Sequence, residues 1–212
     1  HAKIFDTTTP TSNGLKVRFL GTGAADWKGK DARGEHRRLS SIVMDDKIFI
    51  DLTAENLEMI PSSSRPDTIF YTHSHGDHYH PASALRAGIK RVFLSQTWYD
   101  IAKTDFQRAA KELQLAMPEI IPVYVGQKVV LGEIEITPLP ASHATGYMFE
   151  QTLMYLVEKQ EQSTSGRGRR GAAADSSVPR AQARAVIWRT QYAMLSAYFE
   201  AETGSKLSAG MK

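Results

Sequence analysis

The 212-residue chain contains no cysteine, which excludes a disulfide framework, a thiolate metal site and a cysteine nucleophile together. Any metal ion it holds must be bound by histidine and carboxylate side chains. It also lacks an apolar run near the roughly 20 residues that a membrane span needs, and its first residues are too polar for a secretory signal. The expectation is a cytoplasmic, non-membrane protein whose start has been trimmed to His1. A charge excess is missing from most of the chain as well. The formal net charge is +3, yet residues 1–160 carry 18 Lys and Arg against 19 Asp and Glu, and residues 161–212 carry 8 against 4. The sequence pI near 9.1 therefore reflects the tail, and the body has no electrostatic footprint for nucleic acid.

Hydrophobic residues make up 42% of the chain, enough for a sizeable core. Up to residue 160 the pattern alternates strand-like runs with turn signals. Leu15–Leu20 alternates apolar with basic residues and stops at Gly21, as a half-buried strand does. Ser41–Met44 and Lys47–Ile50 flank Asp45-Asp46, a two-residue hairpin signal. Thr68–Thr72 and Arg91–Leu94 are short buried strands, separated by a helix from Pro81 to Ala87 that closes at Gly88. Residues 97–114 carry Trp98, Ile101, Phe106, Ala109, Ala110 and Leu113 at helical spacing. Strands are expected over Ile120–Val125, Lys128–Leu131 and Glu133–Leu139, whereas Tyr147–Val157 suits either a strand or a helix.

The chemistry concentrates in Thr72-His73-Ser74-His75-Gly76-Asp77-His78-Tyr79-His80, which holds four of the seven histidines directly after an apolar strand. In an extended or turning segment His73 and His75 project to one side, while Asp77 and His78 turn towards a second point. Imidazole and carboxylate donors suit Zn, Mn or Fe. One short loop can therefore seed two neighbouring metal positions, an arrangement that activates water. The loop Gly21-Thr22-Gly23-Ala24-Ala25-Asp26 follows a strand but has Asp26 where a dinucleotide fingerprint needs its third glycine, so it reads as a tight turn. Arg37, Arg38, Ser40 and Ser41 offer either contacts for a substrate phosphate or a solvated polar group.

The run from His73 to His78 resembles the His-x-His-x-Asp-His signature of the metallo-β-lactamase fold superfamily. Phe19–Ala25, Ile48–Asp51 and Ile136–His143 agree with it, and the combination is most similar to the branch of phosphonate-pathway phosphodiesterases and tRNA 3′-processing endonucleases. The resemblance covers about residues 14–158. It implies an α/β fold, the αββα sandwich, with the site at the edge of two sheets. It further implies that His73, His75 and His143 hold a first ion, that Asp77 and His78 hold a second, and that buried Asp51 orients a ligating histidine. Two zinc ions are expected on that basis, with Mn or Fe as alternatives. Asp77 is the candidate catalytic residue, placed to orient a metal-activated water. The substrate it implies is a phosphodiester, small or nucleotide-like. His80 matches no family role, and His1 and His36 are unassigned.

The pattern breaks after residue 158. The superfamily continues with a bridging aspartate and a final histidine, whereas this chain has no histidine beyond His143, and Asp175 is its only aspartate beyond Asp105. Residues 161–180 are small and basic, a linker composition. In residues 181–212, Ala185, Trp188, Tyr192, Leu195 and Phe199 fall at helical spacing. The expected organisation is an incomplete domain over 1–160, a linker over 161–180, and a tail over 181–212 with one C-terminal helix in place of the second half. Two functional readings follow: a metal-dependent hydrolase, or a truncated, weak or inactive relative that keeps at most one ion and acts by binding. Apolar surface uncovered by the missing half favours association into a homo-oligomer. Nucleic-acid binding by residues 167–189 is weakly supported, since only Trp188 accompanies their arginines.

Overall fold

The computed structural model describes residues 14–23, 38–143, 145 and 147–160, with the backbone alone of 181–189, 195–201 and 206–208. Two six-stranded sheets face each other. The first runs β1 (Val17–Gly21), β2 (Ser41–Met44), β3 (Ile48–Ile50), β4 (Thr68–Phe70), β5 (Arg91–Ser95) and β6 (Glu119–Val123) in that spatial order. β1, β2 and β3 pair antiparallel, while β3 through β6 are parallel. The second sheet is antiparallel throughout and is built from β7 (Val129–Leu131), β8 (Ile134–Pro140), β9 (Leu153–Gln160), β10 (Ala181–Arg189), β11 (Leu195–Ala201) and β12 (Lys206–Ser208).

The period of two along the strands divides the core into two layers. Ile48 and Ile50 of β3, Phe70 of β4 and Phe93 of β5 point between the sheets, where they meet Ile134, Ile136, Tyr155 and Val157. Phe70 stacks on Phe93 with centroids 4.3 Å apart and takes Tyr155 edge-on at 5.3 Å. The intervening residues Phe49, Ile69, Val92 and Leu94 face the other way, against the helices. This double burial explains why these strands read as continuous apolar runs rather than alternating ones.

The helices supply the outer layer. They are α1 (Ala54–Leu57), α2 (Pro81–Ala87) and α3 (Tyr99–Leu113). Proline opens α2, where its missing N–H costs nothing, and Gly88 closes it at φ 81°, a conformation that suits glycine. α3 buries Ala102, Phe106 and Ala110 on one face. Asp45 and Asp46 both have positive φ (47° and 53°), the primed turn that the hairpin needs. Among the described residues no helix follows α3, and no helix is long and apolar enough to cross a membrane.

Several expectations are corrected. The strand foreseen from Tyr147 begins only at Leu153, since residues 147–152 are drawn out as a loop. The C-terminal helix is replaced by β10, β11 and β12. Without β10 the edge of β9 would leave backbone groups unpaired; Ala185–Ile187 pair with it and Ala185–Trp188 with β11, and the β-branched and aromatic run Val186-Ile187-Trp188 suits a strand, overriding a helical spacing of apolar residues. The linker 161–180, with Asp175, lies outside the described residues, as do His1, His36, Arg37 and Asp26.

Candidate metal centre

Four chain ends converge at one rim of the sandwich. Parallel pairing of β3 with β4 sets Asp51 beside Thr72, each just past the end of its strand. The loop 73–80 then turns back over them, and its backbone bonds Tyr79 N to His75 O at 2.8 Å and Leu52 N to His78 O at 3.1 Å. From the second sheet, the end of β8 delivers His143, while the start of β9 bonds to the loop through Leu153 N and Thr72 O at 2.9 Å.

The loop brings its histidines into two adjoining groups. Ligand atoms of His73, His75 and His143 all lie within 4.8 Å of one another, and so do those of His73, Asp77 and His78. His73 belongs to both groups, so the two positions share a wall rather than standing apart. His143 Nε2 is 3.1 Å from His75 Nδ1, and His78 Nε2 is 3.3 Å from Asp77 Oδ2. A tetrahedral ion with bonds of about 2.0–2.1 Å spaces its ligand atoms about 3.3 Å apart. The donor types, and the two closest separations, therefore suit a divalent metal ion. His73 and His78 are fully buried, Asp77 nearly so, and His75 and His143 are half-buried.

A single carboxylate orders the interior of this cluster. Asp51, 1% exposed, accepts bonds from Thr72 N at 2.8 Å, from Thr72 Oγ1 at 2.7 Å and from His78 Nδ1 at 2.6 Å. Because the Thr72 hydroxyl donates to Asp51, it can only accept from His73 Nδ1, 2.9 Å away. Both imidazoles thus carry a proton on Nδ1 and place a lone pair on Nε2 when neutral, the form a metal requires. Burial by itself pushes His78 down, but the Asp51 and Asp77 carboxylates at its two nitrogens outweigh this and hold it above the ordinary histidine value. Asp51 occupies the left-handed region at φ 56°, which aspartate tolerates better than most residues.

The five residues named from the sequence as candidate ligands come together here, and Asp51 stands behind His78. Thr72, Ser74 and Glu150 are functional-site residues that the sequence pattern did not single out. Glu150 accepts from Ser74 N at 2.6 Å and from Ser74 Oγ at 2.5 Å, across 76 residues of chain that carry no signal of the pairing. His80 is a structural residue: its ring Nδ1 accepts from Ser83 N at 3.2 Å and caps α2. The candidate phosphate contacts are otherwise engaged. Ser40 Oγ donates to Gly23 O at 2.6 Å, Ser41 Oγ to Asp51 O at 2.7 Å, and Arg38 Nη1 to Glu55 O at 3.1 Å. Gly21 is required by close approach, because a Cβ there would lie 2.1 Å from the Leu39 carbonyl oxygen.

The model of a β-lactamase superfamily domain matches residues 49–165. Among solved structures, the chain is similar to the metallo-β-lactamase fold protein YhfI from Bacillus subtilis, with 15% identity over 68% of this chain and 58% of that one and a TM-score of 0.46. It is also similar to the metallo-β-lactamase GOB-18 from Elizabethkingia meningoseptica, with 18% identity over 61% of this chain and 53% of that one and a TM-score of 0.41. A third is CmlA from Streptomyces venezuelae, a diiron β-hydroxylase, with 17% identity over 57% of this chain and 26% of that one and a TM-score of 0.42. The chain thus spans little more than half the length of the first two. No curated protein matches it.

Proposed function

Since the chain belongs to the β-lactamase superfamily, we propose that it is a metal-dependent hydrolase acting on phosphodiester bonds. The observation that carries this reading is the pair of adjoining ligand groups on His73, with the lone pairs of His73 and His78 set by Asp51. His73, His75 and His143 would hold one divalent ion, and Asp77 and His78 would help hold a second beside it. Zinc suits this set, and Mn or Fe suits it too. Ions bound there supply charge to polarise the scissile ester and to acidify water.

The protein's own share is positional. Asp51 and Thr72 keep two imidazoles in the ligating tautomer. The Asp77 carboxylate, almost fully buried against His78, is placed to orient a water and to hold its proton at an oxygen. His75 and His143, half-buried, are the more accessible of the five candidate ligands. The phosphodiester preference rests on the resemblance of the His73–His78 run and its flanking segments, because other esters use the same chemistry.

The test is turnover of bis(p-nitrophenyl) phosphate by metal-reconstituted protein, beside metal stoichiometry by elemental mass spectrometry. Turnover lost in His75→Ala, with close to two ions per chain falling in His143→Ala, is the expected result. Turnover of carboxylic esters alone would refute the phosphodiester assignment. One weakly held ion and no turnover with any substrate would replace the hydrolase with a remnant that acts by binding.

A further inference from the structure

His143 reaches the cluster on a hairpin between β8 and β9 whose base is closed by Ala141 N donating to Thr152 O and is joined to the segment after β4 by Leu153 N donating to Thr72 O, both 2.9 Å. The outer arc of that hairpin is held differently. Its tip carries Tyr147, Met148 and Phe149 at 41%, 89% and 80% exposure, so apolar packing does little to fix it. Gln151 N donates to Thr97 Oγ1 at 2.7 Å and Thr152 Oγ1 to His143 O at 3.4 Å, but the tie from this arc to the histidine loop is Glu150, whose two carboxylate oxygens take both donors of Ser74. Ser74 stands between His73 and His75, the two histidines that His143 must meet. A charged acceptor bonded twice in a half-buried position is a strong and directional tie.

We propose that Glu150 is a positioning residue of the metal centre. Its carboxylate clasps Ser74 and so holds the His143 hairpin against the His73–His75 segment, keeping three imidazoles converged on one point. It is in neither of the two groups of converging ligand atoms. This inference rests on the metal-centre reading given above, and it adds that the third histidine depends on a tie 76 residues distant in sequence from its partner.

The experiment is titration of the chelator-treated full chain with Zn(II), followed by calorimetry, and with Co(II), followed by its visible spectrum. Glu150→Ala is expected to weaken binding about 10–100-fold, the usual loss when an outer partner of a ligand is removed, and to alter the Co(II) bands. Glu150→Gln keeps an acceptor for Ser74 N and offers its amide to Ser74 Oγ, so it should retain most of the affinity. Ser74→Ala should lose part of it, and the double variant should lose less than the sum of the two singles. A merely structural role would lower the melting temperature of the metal-free protein and leave affinity and spectrum unchanged, and that result overturns the proposal. Should Glu150→Ala not fold, Ser74→Ala with wild-type affinity overturns it equally. Wild-type protein that binds neither ion refutes the metal centre and the clasp with it, whereas wild-type binding with unaffected variants refutes the clasp alone.

Discussion

Exchanging one oxygen of Asp51 for an amide should invert two histidines at once. In Asp51→Asn the backbone at φ 56° survives, because asparagine also tolerates the left-handed region. The new side-chain oxygen can still accept from Thr72 N. The amide NH2 then stands where Oδ2 met the Thr72 hydroxyl and His78 Nδ1. Two donors cannot face each other, so His78 must move its proton to Nε2. The Thr72 hydroxyl must turn to accept from the amide, and its hydrogen then points at His73 Nδ1, which drives that proton to Nε2 as well. Both lone pairs leave the cluster.

Every bond is remade, but charge-assisted bonds become neutral ones. The loss is about 1 kcal/mol for each of three bonds, so roughly 3 kcal/mol in the metal-free protein. At about 2–4 °C per kcal/mol for a chain of this length, the melting temperature should fall by about 6–12 °C. Asp51→Ala should be less stable still, since it leaves buried Thr72 and His78 donors unpaired and puts alanine in a left-handed conformation. Zinc affinity should follow a different order. Alanine leaves the imidazoles to choose their tautomer, whereas asparagine imposes the wrong one, so Asn should bind at least as weakly as Ala despite being the more stable variant. Imidazole 15N shifts of metal-free protein, followed upward in pH until each ring reads as neutral, report the tautomers directly. Wild-type tautomers in Asp51→Asn, or zinc affinity that simply tracks stability, would refute the relay.

Three further outcomes are expected. Gly21→Ala should destabilise the protein by about 1–3 kcal/mol in urea unfolding, because the new Cβ would press on the Arg38 and Leu39 carbonyls rather than on a movable side chain. Phe106→Ala, which empties a fully buried ring position where α3 meets the first sheet, should cost about 3–5 kcal/mol by the same measurement. For His80, burial and then Arg86 hold the ring below the ordinary histidine value, and its neutral Nδ1 caps α2. A lowered folded-state pKa means that this contribution is fully present above about pH 6.5 and is lost as pH falls. In thermal melts of chelated protein, wild type should therefore lose ground to His80→Asn, whose cap does not titrate, between about pH 7.5 and 5.5.

The elements whose patterns are local were legible in the chain. The Asp45-Asp46 hairpin, the proline-to-glycine frame of α2, the apolar spacing of α3 and the crowding of His73, His75, Asp77 and His78 all depend on neighbours in sequence, and all appear in the structure. The tail shows the limit of such reading. Trp188, Leu195 and Phe199 satisfy a helical period, yet β10 forms because the open edge of β9 offers backbone partners that a period cannot reveal.

The centre divides in the same way. Four of the five side chains that can hold an ion follow from the donor types in one nine-residue run, since coordination chemistry is a property of the residues themselves. Which nitrogen each histidine presents, and what keeps His143 in place, follows from Asp51 meeting Thr72 and from Glu150 meeting Ser74 across 21 and 76 residues. Those encounters exist only because parallel pairing of β3 with β4 and the return of β9 bring distant strand ends to one rim, and hydrogen bonds act over about 3 Å of space irrespective of the length of chain between them.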